Sequence, residues 1–202
     1  MKTLLQDIVA LLAIINPLGA IPAFFTITER MEPSERRRAG IRASIAVGII
    51  LTIAAIAGTP ILLAFGISMP AFQAVGGLVV LFMGLEMLRG APTKVQHDES
   101  VESAEDRLLV PLAMPLLAGP GAITTAITLS SRASNWLEIL LLLVAVLVVA
   151  VTTLIVLSSA DWVSLKIGRR GQRIFLRFMG LILAAVGAQI LLSGLHSFTP
   201  GP

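Results

Sequence analysis

The chain of 202 residues has no cysteine, no tyrosine and only two histidines, His97 and His196. Disulfide frameworks, thiol chemistry and Cys/His metal sites are thereby excluded. Aromatic residues make up 5% of the chain, too few to build a cage around a large aromatic ligand. Charged residues are scarce at 13%, while 56% of the chain is hydrophobic and the mean hydropathy is +0.92, so water is not the main solvent of this protein. The formal charge of +3 sits in short clusters between apolar runs rather than along one face, which argues for membrane orientation and against nucleic acid as a partner. No Walker A, H-E-x-x-H or G-x-S-x-G motif and no paired intramembrane aspartates occur. ATP drive and enzymatic activity are therefore not expected, nor is any cofactor.

What is present is a series of apolar runs, each near the 20 residues needed to cross about 30 Å of hydrocarbon. They predict spans near 4–28, 42–65, 70–88, 108–131, 137–160 and 174–195. The first run follows Met1-Lys2-Thr3 but carries Asn16-Pro17 at its centre and continues to Thr28, so it reads as a mature helix rather than a signal peptide. Six spans place both termini on one side. The connections 29–41, 89–107 and 161–173 then share the other side and hold nearly all the Lys and Arg, including Arg36, Arg37 and Arg38, whereas Lys2 and Arg132 stand opposite. The positive-inside bias places those three connections in the cytoplasm and both termini on the external, periplasmic side of the inner (cytoplasmic) membrane. Residues 91–106, with Asp98, Glu99, Glu102, Glu105 and Asp106, read as a polar cytoplasmic linker between a first half, 1–90, and a second, 107–202.

The halves repeat. A shift of 103 positions pairs Pro17 with Pro120, Phe72 with Phe175, Gly77-Leu78 with Gly180-Leu181, Gly84 with Gly187 and Glu86 with Gln189. Three spans per half is an odd number, so the second half enters the membrane inverted, which is the plan of many secondary transporters. Gly77 and Gly84, like Gly180 and Gly187, fall on one helix face and suit close packing of backbones.

Two segments stand out, Ile14-Ile15-Asn16-Pro17-Leu18-Gly19-Ala20-Ile21-Pro22 and Met114-Pro115-Leu116-Leu117-Ala118-Gly119-Pro120-Gly121-Ala122, each near the middle of its span, with Asn16 to Ala20 and Ala118 to Ala122 as the candidate binding residues. Proline removes a backbone donor and clashes with the preceding turn, and adjacent glycines loosen the chain, so the first and fourth helices are expected to be discontinuous. Asn16 before Pro17 also reads as an N-cap, with Gly119 before Pro120 as its weaker counterpart. Free carbonyls on one side of a break and free amides on the other match the ammonium and carboxylate of a zwitterion. Thr124 and Thr125, in the first turn after Pro120, offer hydroxyls to a carboxylate; Thr26, Thr28 and Thr128 lie nearby. The structural alternative is plain proline kinks, with each hydroxyl bonded to a carbonyl one turn back.

Asn16-Pro17-Leu18-Gly19-Ala20-Ile21-Pro22-Ala23-Phe24, the arginine run 36–38 and the stretch from Pro111 to Ile123 resemble the MarC family of bacterial and archaeal membrane proteins, which includes the SnatA neutral amino acid transporters. The resemblance covers essentially the whole chain. It implies six transmembrane helices, kinship with the LysE amino acid exporter superfamily and, for some members, transport of small neutral amino acids such as glycine and alanine.

The leading expectation is an all-α integral membrane protein, a 3+3 inverted repeat, acting as a secondary transporter of a small zwitterionic amino acid held between the two breaks. Its environment is the lipid bilayer, and self-association stays open. A passive channel for a small polar solute and a non-transporting membrane scaffold or regulator are the alternatives. Glu86, three residues from Arg89, reads as a helix-end charge rather than a proton relay.

Overall fold

A computed structural model describes residues 2–28, 31–89 and 117–198. All regular structure among these is α-helical: α1 (Lys2–Ile15), α2 (Pro17–Thr28), α3 (Pro33–Ala64), α4 (Met69–Arg89), α5 (Pro120–Ser131), α6 (Trp136–Ser158) and α7 (Ala160–Phe198). Five stretches of described helix are long and apolar enough to cross a membrane: Leu4–Ile21, Pro33–Ala64, Met69–Arg89, Trp136–Ser158 and Ile174–Ser197. Five of the six expected spans are thus represented. Of the fourth, 108–131, only the part from Leu117 onward is described, and the 91–106 linker lies outside the described residues.

Two expected connections turn out to be helical. The stretch 29–41 contains the start of α3 at Pro33, because Glu32 and Glu35 form a capping box there, the Glu32 amide donating to Glu35 Oε2 at 3.1 Å, with proline at the first helical position. Arg36, Arg37 and Arg38 then occupy the first turns of a helix of 32 residues, about 48 Å long, which exceeds the roughly 30 Å hydrocarbon core and carries its charges beyond it. Likewise 161–173 is in the first part of α7, a helix of 39 residues with only Ser159 between it and α6. Hydropathy marks where a helix leaves lipid, not where it ends: Pro33 sits at the first helical position, where its missing amide hydrogen costs nothing, and Gly40, Gly168 and Gly171 lie inside their helices.

α6 opens on Asn135, whose Oδ1 accepts from the Glu138 amide at 3.0 Å while Glu138 Oε2 accepts from the Ser134 amide at 2.7 Å. Between α3 and α4 the chain reverses in four residues, with Gly66 at φ +68° and the Ile67 amide bonded to the Leu62 carbonyl at 2.9 Å.

Glycine sets the packing. α4 and α7 run antiparallel in near backbone contact: a β-carbon on Gly77 would sit 2.8 Å from the Gly187 carbonyl oxygen, and one on Gly84 2.7 Å from that of Gly180. α3 lies antiparallel on α6, with Gly40 by Leu157 and Gly48 by Ala150. α5 is wedged between α3 and α4, and α1 rests on α6. Lipid is as apolar as a leucine side chain, so such close backbone approach, rather than hydrophobic burial, is what joins these helices. Leu11, Ile15, Phe24, Leu51, Val80, Leu142 and Leu183 fill the centre, while Ile45, Ile49, Ile53, Val75, Phe82, Leu147 and Ile155 are exposed to the surroundings.

Candidate functional site

α1 ends at Ile15 and α2 begins at Pro17; the residue between them, Asn16, has φ +43°. Among L-residues asparagine tolerates this left-handed conformation best, because its short amide bonds locally. Here Asn16 Oδ1 accepts from the Gly19 amide at 3.1 Å, and a β-carbon on Gly19 would run into the Asn16 side chain. The Asn16 amide still closes α1 onto the Leu12 carbonyl at 2.9 Å, and its carbonyl opens α2 by accepting from Ala20 at 3.1 Å. Pro17 has no amide hydrogen, so the Ala13 carbonyl has lost its helical donor, and the Gly19 amide has turned from the Ile15 carbonyl to the Asn16 side chain. The end of α1 therefore presents carbonyls within the apolar stretch Leu4–Ile21.

The second segment has matching grammar. Gly119 is the N-cap of α5, extended at φ −68° and ψ −179°, and Pro120 is the first helical residue. The Ala122 and Ile123 amides close on the Gly119 carbonyl at 3.0 and 3.1 Å. The Gly121 amide, in the first turn, has no carbonyl one turn earlier in its own helix, so the start of α5 carries partial positive charge. Met114, Pro115 and Leu116, which precede it, lie outside the described residues.

These two ends meet. A hollow of about 10 Å³, room for a single water molecule, is lined by Ile14 of α1, Leu117, Gly119, Gly121 and Ala122 around the start of α5, Val80 and Met83 of α4, and Leu183 of α7. Gly121 permits this approach: a β-carbon on it would collide with Val80 and touch Ile14 Cγ2 at 3.5 Å.

Of the residues singled out in the sequence, Gly119, Gly121 and Ala122 line the hollow, and Ala118 is buried beside them. Asn16, Pro17 and Ala20 are buried but off its wall, and act there by shaping the break. Leu18, 40% exposed, and Pro120 face outward. Thr125 donates to the Gly121 carbonyl at 2.9 Å and Thr28 to that of Phe24 at 2.7 Å, the structural alternative in both cases. Thr124 is 2% exposed and lies against Gly76 of α4. Sequence reasoning missed Val80, Met83 and Leu183, and left Ile14 and Leu117, which lie inside the two interrupted segments, out of the candidate binding residues. Their apolar side chains carry no chemical signature, although Val80 and Leu183 stand 103 residues apart.

The sequence profile of the MarC family, described as integral membrane proteins, matches residues 1–199. The chain is 39% identical over 190 residues to a UPF0056 membrane protein of Methanocaldococcus jannaschii, covering 93% of each. It is 35% identical over 195 residues to one of Pyrococcus abyssi, covering 96% of this chain and 95% of the relative. With the UPF0056 membrane protein YhcE of Escherichia coli it shares 32% over 197 residues, covering 96% and 92%. No solved structure matches. The chain belongs to the MarC family and is a multi-pass integral membrane protein.

Proposed function

We propose that this MarC family protein is a secondary transporter of small neutral amino acids, glycine and alanine above all. The observation that carries the reading is the hollow between the carbonyl end of α1 and the amide end of α5, two helix termini of opposite sign. A zwitterion satisfies both, and unsatisfied backbone groups in hydrocarbon cost several kcal/mol each, so a small dipolar guest is favoured there over an apolar one.

In this reading α1 and α2 are two parts of one discontinuous span, α5 is the second part of another, and the halves form an inverted repeat. Four features support the inversion. The caps of α3 and α6, Glu32 with Glu35 and Asn135 with Glu138, stand 103 residues apart, at the offset that relates the prolines. α4 and α7, the third helices, pair antiparallel, as do α3 and α6, the second helices. The shift carries individual contacts onto one another. Gly77 against the Leu191 amide becomes Gly180 against that of Leu88, and Gly84 against Ala184 becomes Gly187 against Leu81.

The hollow as it stands is smaller than any amino acid, so entry requires side chains such as Val80, Met83 and Leu183 to move apart. A carrier closed around its site fits this better than a standing channel. The clustering of Arg36, Arg37, Arg38 and Arg89 at one end of the bundle supports an inner membrane orientation with that end cytoplasmic and both termini outside.

Uptake of labelled glycine into proteoliposomes, with stimulation by unlabelled glycine inside, is the expected result. No uptake above that of empty vesicles under proton, sodium and exchange conditions would overturn the reading. Stimulation by internal glycine separates a carrier from a channel.

A further inference from the structure

The hollow continues into a polar seam. Gly121 and Thr124 of α5 lie against Val80 and Gly76 of α4, and helical spacing puts Thr128 (i+7 from Gly121) and Gln73 (i−7 from Val80) on the same two faces. The register is fixed at two points, where Gly121 meets Val80 and Thr124 meets Gly76, and the helices run antiparallel, so the next pair along the seam is Gln73 with Thr128. Both are buried, at 8% and 6% exposed. Thr28, Ser44, Thr125 and Thr153, the other buried hydroxyls with described bonds, donate to the carbonyl four residues back. Thr128 does not; its Oγ1 is sealed from solvent with no hydrogen-bond partner. Among the described residues Thr59, half-buried on α3, is the other hydroxyl in that condition. An unmade hydrogen bond at a buried hydroxyl is unfavourable and is retained where something else uses the group.

The repeat does not account for this polarity. One shift of 103 from Gln73, Gly76 and Val80 stand Leu176, Met179 and Leu183; one shift back from Gly121, Thr124 and Thr128 stand Leu18, Ile21 and Phe25, all apolar and bulky. The seam that begins where α4 starts and α5 ends is therefore polar and thin-walled, and its counterpart at the arginine-rich end is not.

Resting on the transporter reading above, we propose that the α4–α5 seam is the outer passage to the hollow, that the Gly76–Thr124 contact closes it, and that Gln73 and Thr128 form a binding station for a small zwitterion along it. The Gln73 amide offers donors to a carboxylate and an acceptor to an ammonium, and the Thr128 hydroxyl adds one of each, with no net charge to trap the solute. Uncharged groups suit a station that must release what it binds.

The chain has no native cysteine, so single-cysteine variants need no background removal. In intact cells, Thr128→Cys and Gln73→Cys are expected to react with a membrane-impermeant thiosulfonate added outside and to be protected by glycine. Ile127→Cys, one residue along α5 on the face against Gly58 of α3, is expected to stay unreactive. In proteoliposomes Thr128→Val, which keeps the side-chain shape, is expected to raise the KM for glycine about tenfold, as loss of one hydrogen bond to a charged group implies. Thr128→Ser should restore it. Thr128→Cys as inert as Ile127→Cys, or Thr128→Val transporting like the parent, overturns the proposal. Fast labelling of Thr128→Cys without glycine uptake or protection leaves the passage standing and instead defeats the glycine reading of the site.

Discussion

Replacing Asn16 tests the break that opens the site, and it does so through an inversion of the usual order of helix stability. In a helix interior alanine is better than glycine by about 1 kcal/mol. At position 16 the backbone sits at φ +43° and the side chain caps the Gly19 amide. Asn16→Ala forfeits the cap, worth about 0.5–2 kcal/mol, and forces an alanine into the left-handed region at about 1–2 kcal/mol, for a sum of about 1.5–4 kcal/mol. Asn16→Gly loses the cap but adopts the conformation freely, and glycine at such a cap costs only a few tenths of a kcal/mol plus about 0.5–1 kcal/mol of added chain entropy. At about 2–4 °C per kcal/mol for a chain of this size, Asn16→Ala should lower Tm by roughly 3–16 °C and Asn16→Gly by only about 2–5 °C. The assay is thermal unfolding of the detergent-purified full chain, followed through the fluorescence of Trp136 and Trp162 and repeated with glycine present. Glycine should raise the Tm of the parent by mass action, with the shift lost in Asn16→Ala. An alanine variant as stable as the glycine variant would refute the reasoning, since it would mean that Asn16 neither holds a left-handed turn nor caps α2.

Three further outcomes follow from the same geometry. Gly119→Leu should abolish the glycine-dependent Tm shift by filling the hollow, whereas Arg37→Ala, remote on α3, should leave it intact; the purified variants report both in one thermal-shift series. Gly84→Ala and Gly187→Ala should destabilise by about 1–3 kcal/mol each, and equally, because the added carbons meet backbone of α7 and α4 at equivalent points. Gly48→Ala, which meets only the Ala150 β-carbon at 3.3 Å, should be neutral or stabilising by up to about 1 kcal/mol. Unequal losses at Gly84 and Gly187 in denaturation midpoints would count against the symmetric pairing.

The all-helical membrane fold was legible because apolar run length is a direct physical requirement of the bilayer. The boundary between α1 and α2 at Asn16-Pro17 was legible because proline removes a donor whatever surrounds it. In the connections 29–41 and 161–173 hydropathy marks the membrane boundary and not the helix boundary; the start signal of α3 lies in Glu32, Pro33 and Glu35. Thr125 was ranked with Thr124 from its place in the first turn, but a hydroxyl's partner depends on its rotamer, and Thr125 chose the Gly121 carbonyl. The hollow's apolar wall was not legible, since which faces of α4 and α7 meet α5 is fixed by three-helix packing rather than by any one segment.

The inequality of the two seams has a consequence for direction. Exchange of conformation between the halves would carry the Gly76–Thr124 contact onto Met179 against Ile21, and Val80–Gly121 onto Leu183 against Leu18. Ile21 is 2% exposed and Leu183 likewise, so opening that second seam to water uncovers bulky apolar surface that the α4–α5 seam does not have. The protein should accordingly rest with the arginine-rich end closed and open more readily at the other. Ile21→Thr removes apolar area worth about 1–2 kcal/mol from the second seam, which by population-shift arithmetic moves the balance about tenfold toward the opposite opening. The readout is the rate at which Thr128→Cys is labelled from outside. Combined with Ile21→Thr it should fall several-fold, because a half open inward holds the α4–α5 seam shut. An unchanged rate, with the doubly substituted protein folded and inserted, would show that the two seams do not open in alternation and that α5 moves independently of α2.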